Sequence, residues 1–151
     1  MPVTIEQVLR ALQPEEPDYE QARRLGSEAL PHLYGIVAAG TSQLAPKATY
    51  LASLIAAEGS AAVVNRAAQS ADPALRVAAA AAARNLPARD SNDILVGLVA
   101  DEDMGVRKVA VTSAGSEASA ELKEGVRQIS QSDAAPRIRE LAAEVLDRMG
   151  S

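Results

Sequence analysis

Asp72-Pro73-Ala74-Leu75-Arg76-Val77-Ala78-Ala79 is the first of three related segments in this chain. It recurs as Asp103-Met104-Gly105-Val106-Arg107-Lys108-Val109-Ala110, and again, with the acid displaced, as Asp133-Ala134-Ala135-Pro136-Arg137-Ile138-Arg139-Glu140-Leu141-Ala142. The arginines that anchor the copies, Arg76, Arg107 and Arg139, lie 31 and 32 residues apart. Repetition at a period of about 20 to 50 residues is the sequence signature of a repeat architecture, and it predicts one here.

The stretches between these segments carry apolar residues at intervals of three and four, as on one face of a helix. Each repeat is therefore predicted to contain two helices, and the chain to contain five helical hairpins. The ten predicted helices lie near residues 4–12, 18–26, 29–39, 43–57, 60–70, 73–86, 91–100, 104–115, 118–131 and 136–149.

Two weaker copies precede the first clear one. At 46–52, Lys47 is the candidate replacement for the repeated arginine, and Tyr50 then falls where the other copies have alanine, unless the register slips by one residue. At 18–26 only the helical Ala and Leu spacing remains. The alanines that recur in the three clear copies are predicted to be packed positions where neighbouring helices approach closely. They are Ala79, Ala110 and Ala142.

Ordinary cap chemistry marks the helix starts and ends. Thr4 with Gln7 forms a possible capping box, and Asp72 precedes a proline at the first helical position. Glycine, which is favoured just beyond a helix C-terminus, marks most of the predicted helix ends. Further N-cap candidates are Ser91, Asp103, and Ser132 or Asp133, and the marking glycines are Gly26, Gly40, Gly59, Gly115 and Gly150.

Composition agrees with an all-helical fold. The chain has 151 residues, of which 48% are hydrophobic, yet it has three Tyr, no Phe and no Trp, and 32 residues are alanine. Alanine is the best helix former and is depleted from strands. A chain of this length can bury one core, so residues 1–151 are expected to form a single domain.

Composition also excludes several kinds of chemistry. Because the chain has no Cys and one His, thiolate catalysis, Cys-ligated zinc and His-rich metal sites are excluded. The net charge of −5 argues against nucleic-acid binding, which usually begins with a cationic face. The longest apolar stretch, Val77 to Ala83, is too short to span a bilayer, and the N-terminus lacks the features of a secretory signal. We therefore expect a cytoplasmic protein without cofactors.

A period of about 31 residues, two helices per unit and the start Asp-x-x-aliphatic-Arg-x-x-Ala closely resemble HEAT repeats, particularly the short HEAT-like type of phycobilisome lyases. The resemblance implies an all-α protein, a right-handed α-solenoid of about five HEAT-like hairpins in an armadillo-like superhelix. It also implies that the second helices line the concave face. Here these helices are 18–26, 43–57, 73–86, 104–115 and 136–149.

The repeated arginines are candidates for two roles. In the structural one, Asp72 and Asp103 cap their helices, while each arginine pairs with the aspartate four residues before it and with its counterpart in the adjacent repeat. In the functional one, Arg76, Arg107 and Arg139 form a row that binds phosphate or carboxylate on a partner. The acids Asp101-Glu102-Asp103 do not continue as a calcium loop, because Val106 and Thr112 stand where Gly and Glu are needed, so a solvated turn is expected.

The tyrosines offer the best recognition surface in the sequence. All three lie within positions 19–50, and Tyr19 and Tyr50 belong to neighbouring inner helices. They are either partly buried fillers of a small-residue core or contact residues, because Tyr and Arg are favoured at interface hot spots. His32, a lone histidine, is expected to be a surface or half-buried polar residue. The predicted binding residues are Tyr19, Tyr50, Arg76, Arg107, Lys108 and Arg139.

The function expected from these features is a non-enzymatic protein-binding or scaffold module that holds a protein partner on the concave face. HEAT-like hydroxylases that hold iron with several His-Glu pairs are excluded by the single histidine. The resemblance leaves two alternatives: a subunit of a phycobilin-lyase-like enzyme, which needs mainly a shaped groove and carboxylates, and a HEAT-like DNA-binding protein. A HEAT-like DNA-binding protein would need a basic concave face and aromatic side chains on it, and neither is evident. The partner's identity and the oligomeric state stay open.

Overall fold

A computed structural model describes residues 2–40 and 43–150, and within them it shows ten α-helices and no strand. Three short 3₁₀ turns, Arg23–Leu25, Ser27–Ala29 and Ala83–Asn85, extend or precede helices. The predicted all-helical architecture is confirmed. The helices are α1 (Ile5–Leu12), α2 (Tyr19–Ala22), α3 (Leu30–Ala39), α4 (Ala45–Ile55), α5 (Ser60–Ala68), α6 (Pro73–Ala82), α7 (Ala88–Leu98), α8 (Met104–Ser113), α9 (Ala120–Ser132) and α10 (Pro136–Met149).

Successive helices pair as five hairpins, α1/α2 to α9/α10, which stack into an α-solenoid of two layers. The first helices of the hairpins pack on one another in one layer, and the second helices pack on one another in the other. From the third hairpin onward, contacts within the second-helix layer are the more extensive. A stack that is tighter on one side is expected to curve toward that side, which agrees with the concave face that the HEAT resemblance implies for the second helices.

Alanine explains why the second helices approach closely. Ala79, Ala110 and Ala142 are fully buried, as are Ala48 and Ala52 of α4. A methyl group leaves the neighbouring backbone room that a larger side chain would occupy. The core is completed by Leu, Val and Ile rather than by aromatic rings, with Leu33, Leu51, Leu75, Leu95 and Leu122 among its largest fully buried side chains. The predicted packing of the repeated alanines is confirmed.

Enlarging one of these alanines is expected to destabilise the stack. Ala110→Leu should lower the free energy of unfolding by about 1–3 kcal/mol, because the added atoms overpack a closed interface between helices. Lys108→Leu, two residues away on the exposed side of α8, is the matched control and should change it by roughly 0.5 kcal/mol or less. Urea unfolding measures both, and equal midpoints for the two variants would contradict this packing.

Several predicted helix boundaries move in the structure. The end of α4 comes at Ile55, where Ala56 adopts the left-handed conformation with φ of 54°, and Gly59 instead precedes α5. The start of α7 comes at Ala88, directly after Pro87, so the N-cap expected at Ser91 lies inside the helix. A proline pre-sets helical φ and needs no partner for a backbone N–H, which suits it to a helix start.

Other cap predictions are confirmed or corrected individually. Thr4 and Gln7 form the complete capping box of α1. Asp72 caps α6 and Asp103 caps α8, each by accepting a backbone N–H of the first turn. For α10, however, the N-cap residue is Ala135 rather than Ser132 or Asp133, and no side chain caps it. The second predicted helix is only one α-helical turn, α2, before it tightens into the 3₁₀ turn that ends at Gly26 with φ of 74°.

Lys47 does not replace the repeated arginine. Its Nζ donates to the carbonyl oxygens of Leu12 at 3.3 Å and Pro14 at 2.7 Å, which belong to the preceding hairpin. It therefore ties the α1/α2 connection to α4. The arginines of the clear copies bond instead to the connection of their own hairpin.

The register of α4 also differs from the predicted one. Its burial pattern matches that of α6 when fully buried Ala48 is aligned with fully buried Ala79. Tyr50 then lies two positions beyond the packed alanine rather than at it. Consistent with this register, Tyr50 is among the exposed large side chains.

Candidate functional site

Arg76 is a buried arginine whose guanidinium group holds two hairpins together. Its Nε and Nη2 donate to the two carboxylate oxygens of Asp101 at 2.8 and 3.0 Å, and its Nη1 donates to the carbonyl oxygens of Ser70 and Ala71 at 3.0 and 3.2 Å. The carbonyls belong to the connection within its own hairpin. Asp101 belongs to the next hairpin, so a bidentate ion pair crosses the interface between repeats.

Arg107 repeats this arrangement one hairpin later. Nε and Nη2 donate to Asp133 at 2.6 and 3.1 Å, and Nη1 donates to the carbonyl oxygens of Asp101 and Glu102, both at 3.1 Å. The side chain of Asp133 is only 2% exposed, and that of Arg107 is 16% exposed. We call this set of arginines and aspartates, Arg76–Asp101 and Arg107–Asp133, the ladder.

The ladder corrects the predicted pairing. Asp72 and Asp103 cap their helices as expected, but neither pairs with the arginine four residues later. The acceptors are Asp101 and Asp133, each from the hairpin that follows the arginine. Each lies two residues before the N-cap residue of the second helix of its own hairpin. Asp101 is thus a ladder residue rather than part of a solvated turn, and the acid of the third copy is not displaced, because Asp133 is the equivalent of Asp101.

A local hydrogen bond fixes each acceptor in place. The carboxylate of Asp101 accepts the backbone N–H of Asp103 at 2.9 Å, and that of Asp133 accepts the N–H of Ala135 at 2.9 Å. In the third hairpin the same position is held by Ser70, whose hydroxyl accepts the N–H of Asp72 at 3.1 Å. The signal that could have identified this position is the shared spacing of two residues to the helix N-cap.

The ladder charges stabilise one another. Hydrogen bonding by the Arg107 guanidinium, against the opposing effect of burial, holds the pKa of the Asp133 carboxyl below its usual value. Burial acts to raise the pKa of Asp101, but the hydrogen bonds from Arg76 and from a backbone N–H outweigh it, and the pKa is lowered. The same pairs raise the pKa of both arginines.

Arg139 occupies the corresponding position in α10. Its Nη1 donates to the carbonyl oxygen of Asp133, as the other two arginines do to their own connections. Within residues 2–40 and 43–150, however, no carboxylate forms an ion pair with it. Of the three arginines that were predicted to bind a partner, two are therefore already occupied by carboxylates.

Tyr19 and Tyr50 meet across neighbouring second helices. Their ring centroids lie 4.8 Å apart at an interplanar angle of 79°, an edge-to-face contact. Tyr19 is half-buried. Its burial, and to a smaller extent the nearby Tyr50, raise the pKa of its hydroxyl group. Tyr50 is 38% exposed and presents its ring on the second-helix layer, whereas Tyr34 is exposed on α3, in the other layer.

The open side of the second-helix layer continues past Tyr50 as a surface of small residues. On α6, Ala74 is exposed, and Val77, Ala78 and Ala81 are half-buried. On α8, Met104 is 57% exposed and Lys108 is exposed. Sequence reasoning identified Lys108 but missed Met104. We call this surface, formed by Tyr50, Ala74, Val77, Ala78, Ala81, Met104 and Lys108, the concave patch.

His32 is half-buried, as predicted, and its contact with the backbone is structural. Its Nε2 lies 2.8 Å from the carbonyl oxygen of Val3, which ties the segment before α1 to α3. In the part of the chain that the structure describes, no three His, Cys, Asp or Glu side chains form a group that could hold a metal ion. No described helix is both long and apolar enough to cross a membrane.

Comparison with known proteins agrees with the architecture. A search of curated proteins gives no match. A family model for HEAT repeats matches residues 60–147, more than half of the chain, and these residues include the three hairpins that contain the ladder except for the last two residues of α10. Together with the stacked hairpins, this match shows that the chain belongs to the family of HEAT repeat proteins.

Proposed function

We propose that this protein is a non-enzymatic protein-binding module that holds a segment of a partner protein along the concave patch. HEAT repeats generally mediate protein–protein interaction or scaffolding, and a stack of rigid hairpins supplies a long, preorganised surface. The observation that carries the proposal is the exposure of Tyr50 and Met104 on one layer, beside a run of small residues. Large apolar side chains that face solvent together mark interaction surfaces.

The chemistry of the patch suggests what it binds. Ala74, Ala78 and Ala81 form a low floor on α6, so a partner helix can approach the backbone closely there. Tyr50 on α4 and Met104 on α8 stand on either side, and both suit apolar side chains of a partner. Lys108 adds a positive charge. An amphipathic helix with small or apolar residues on one face and a carboxylate near Lys108 fits these features.

The ladder arginines take a different part in this proposal. Since Arg76 and Arg107 already bond to carboxylates and to backbone carbonyls, their role is to hold the hairpins that carry the patch in register. Tyr19 likewise packs edge-to-face against the ring of Tyr50 and supports it. Direct contact with the partner is assigned to Tyr50, Met104 and Lys108.

Truncating the exposed tyrosine of the patch tests the proposal. Against a partner identified by photo-crosslinking from position 108, Tyr50→Ala should cost about 2 kcal/mol or more in affinity by isothermal titration calorimetry, as a hot-spot tyrosine does. Tyr34→Ala is the matched control, because Tyr34 is similarly exposed, at 42%, but lies on the first-helix layer. It should leave the affinity unchanged.

Stability must be measured beside affinity, since Tyr50 also packs on Tyr19. Only affinity that is lost without a matching loss of stability supports direct contact. Lys108→Glu provides an independent arm, because the side chain is exposed and its reversal should repel an acidic partner. If Tyr50→Ala, Lys108→Glu and the unaltered protein bind equally well, the concave patch is not the binding surface.

A further inference from the structure

The ladder has a direction along the solenoid. Each arginine pairs with a carboxylate from the hairpin that follows it: Arg76 of the third hairpin with Asp101 of the fourth, and Arg107 of the fourth with Asp133 of the fifth. Arg139 of the fifth hairpin bonds to the carbonyl of its own connection in the same way. Its place for a carboxylate from a following hairpin is not filled by any described residue.

The first hairpin carries the complementary group. Glu16 lies two residues before Asp18, the N-cap residue of α2. This is the spacing by which Asp101 precedes the N-cap of α8 and Asp133 precedes the N-cap of α10. Glu16 is exposed, and in the described part of the chain no arginine pairs with it.

From these two ends we propose that the protein associates head to tail with a second copy of itself, Glu16 of one copy accepting hydrogen bonds from Arg139 of the other. The contact continues the ladder across the junction, with Glu16, one methylene longer than Asp101 and Asp133, supplying the carboxylate at the corresponding position. Charge favours it: the connection of residues 13–18 contains the acids Glu15, Glu16 and Asp18 against one cation, the Lys47 ammonium that binds the Pro14 carbonyl, while α10 begins Pro136-Arg137-Ile138-Arg139.

The first hairpin also has an open cleft next to this connection, lined by apolar residues and by Gln7, Arg10 and Gln21. The cleft, about 300 Å³ in volume, lies between α1 and α2 and is lined in part by Ala11, Pro14, Ala22 and Leu25. Pro14 and Asp18 of the acidic connection also line it. Docking of α9 and α10 from another copy would cover this cleft and shield the new ion pair from water, which strengthens the pair.

Such a contact joins different surfaces on the two copies. A heterologous interface of this kind leaves one free end on each side, so it produces chains of increasing length or a closed ring rather than a symmetric dimer. Self-association should therefore grow with protein concentration, and it should weaken as salt screens the charges.

Charge reversal tests the contact by sedimentation velocity over micromolar to millimolar concentrations. Glu16→Lys and Arg139→Glu should each weaken self-association at least about tenfold, because each places like charges opposite one another. An equimolar mixture of the two variants should associate again. In the mixture, Arg139 of one variant meets Glu16 of the other, and the reversed charges also face each other with opposite sign.

The adjacent charge reversals Glu15→Lys and Arg137→Glu are the matched controls and should retain self-association within about twofold. Circular dichroism verifies that each variant is folded, and Arg139→Gln replaces Arg139→Glu if the latter is not. With that replacement, the expected result is weakened self-association of Arg139→Gln alone and a gain on mixing it with Glu16→Lys. Three outcomes would each overturn the proposal. The unaltered protein stays monomeric at all concentrations, neither charge reversal weakens self-association, or the mixture of the two variants does not associate.

Discussion

Replacing Asp133 by alanine is expected to lower the free energy of unfolding by about 3–5 kcal/mol, the cost of leaving a buried charge without its partner. The reason is the position of the pair. The Asp133 side chain is 2% exposed, and it accepts two hydrogen bonds from Arg107 and one from a backbone N–H. After the substitution, the guanidinium group would stay largely buried and lose its carboxylate. Urea unfolding followed by circular dichroism measures the change.

Two nearby acids provide graded controls. Glu102→Ala removes an exposed carboxylate and should change stability by roughly 0.5 kcal/mol or less. Asp103→Ala removes the N-cap of α8 and should cost about 1 kcal/mol. If Asp133→Ala costs no more than Asp103→Ala, the ladder is not a major source of stability. The double variant Arg107→Ala with Asp133→Ala should cost less than the sum of the single variants, because the two groups interact.

Acid should remove the same stabilisation. In the unfolded chain an aspartate titrates at about pH 4, and the folded-state pKa values of Asp101 and Asp133 lie below their usual value. A lowered pKa means that the contribution of each pair is complete above the unfolded pKa and is lost as the pH falls through the folded pKa. The stabilisation from these two ion pairs should therefore be nearly constant from neutral pH down to about pH 5 and should decline below that pH.

Asp133→Asn isolates this effect, because asparagine has the shape of a protonated aspartate. The variant should be about 3 kcal/mol less stable than the unaltered protein at neutral pH. The difference should shrink toward zero as acid protonates Asp133 in the unaltered protein. Urea midpoints measured across the acid range check this, and a difference that stays constant from neutral to strongly acidic pH would mean that the Asp133 charge does not stabilise the fold.

Local chemistry explains why so much of the fold could be predicted. Helix periodicity, alanine content and cap residues such as Thr4 and Asp72 act within a few residues of one another, so their consequences are present in the sequence itself. The repeat then assigned corresponding positions to different hairpins, and the burial of Ala79, Ala110 and Ala142 followed from it. The error at the end of α4 arose because Ala56, a residue other than glycine, adopts the left-handed conformation there.

The candidate site was predicted less completely, because its contacts join residues far apart in the chain. Tyr50 and Lys108 were identified by residue type, but Met104 was not, since the sequence alone does not distinguish an exposed methionine from a buried one. Lys47 resembled the missing arginine of its repeat, yet its ammonium group binds the connection of an earlier hairpin. Which surface the partner contacts stays a prediction.

Period, amphipathicity and helix capping are local properties, and they were enough to predict a stack of five helical hairpins with a recurring arginine. What each arginine binds depends on the packing of one hairpin on another. The sequence offered Asp72, four residues before Arg76, as its partner, but Asp72 uses its carboxylate to cap its own helix. Stacking brings Asp101, 25 residues away, within 2.8 Å, and the choice between such partners depends on how one rigid hairpin rests on the next.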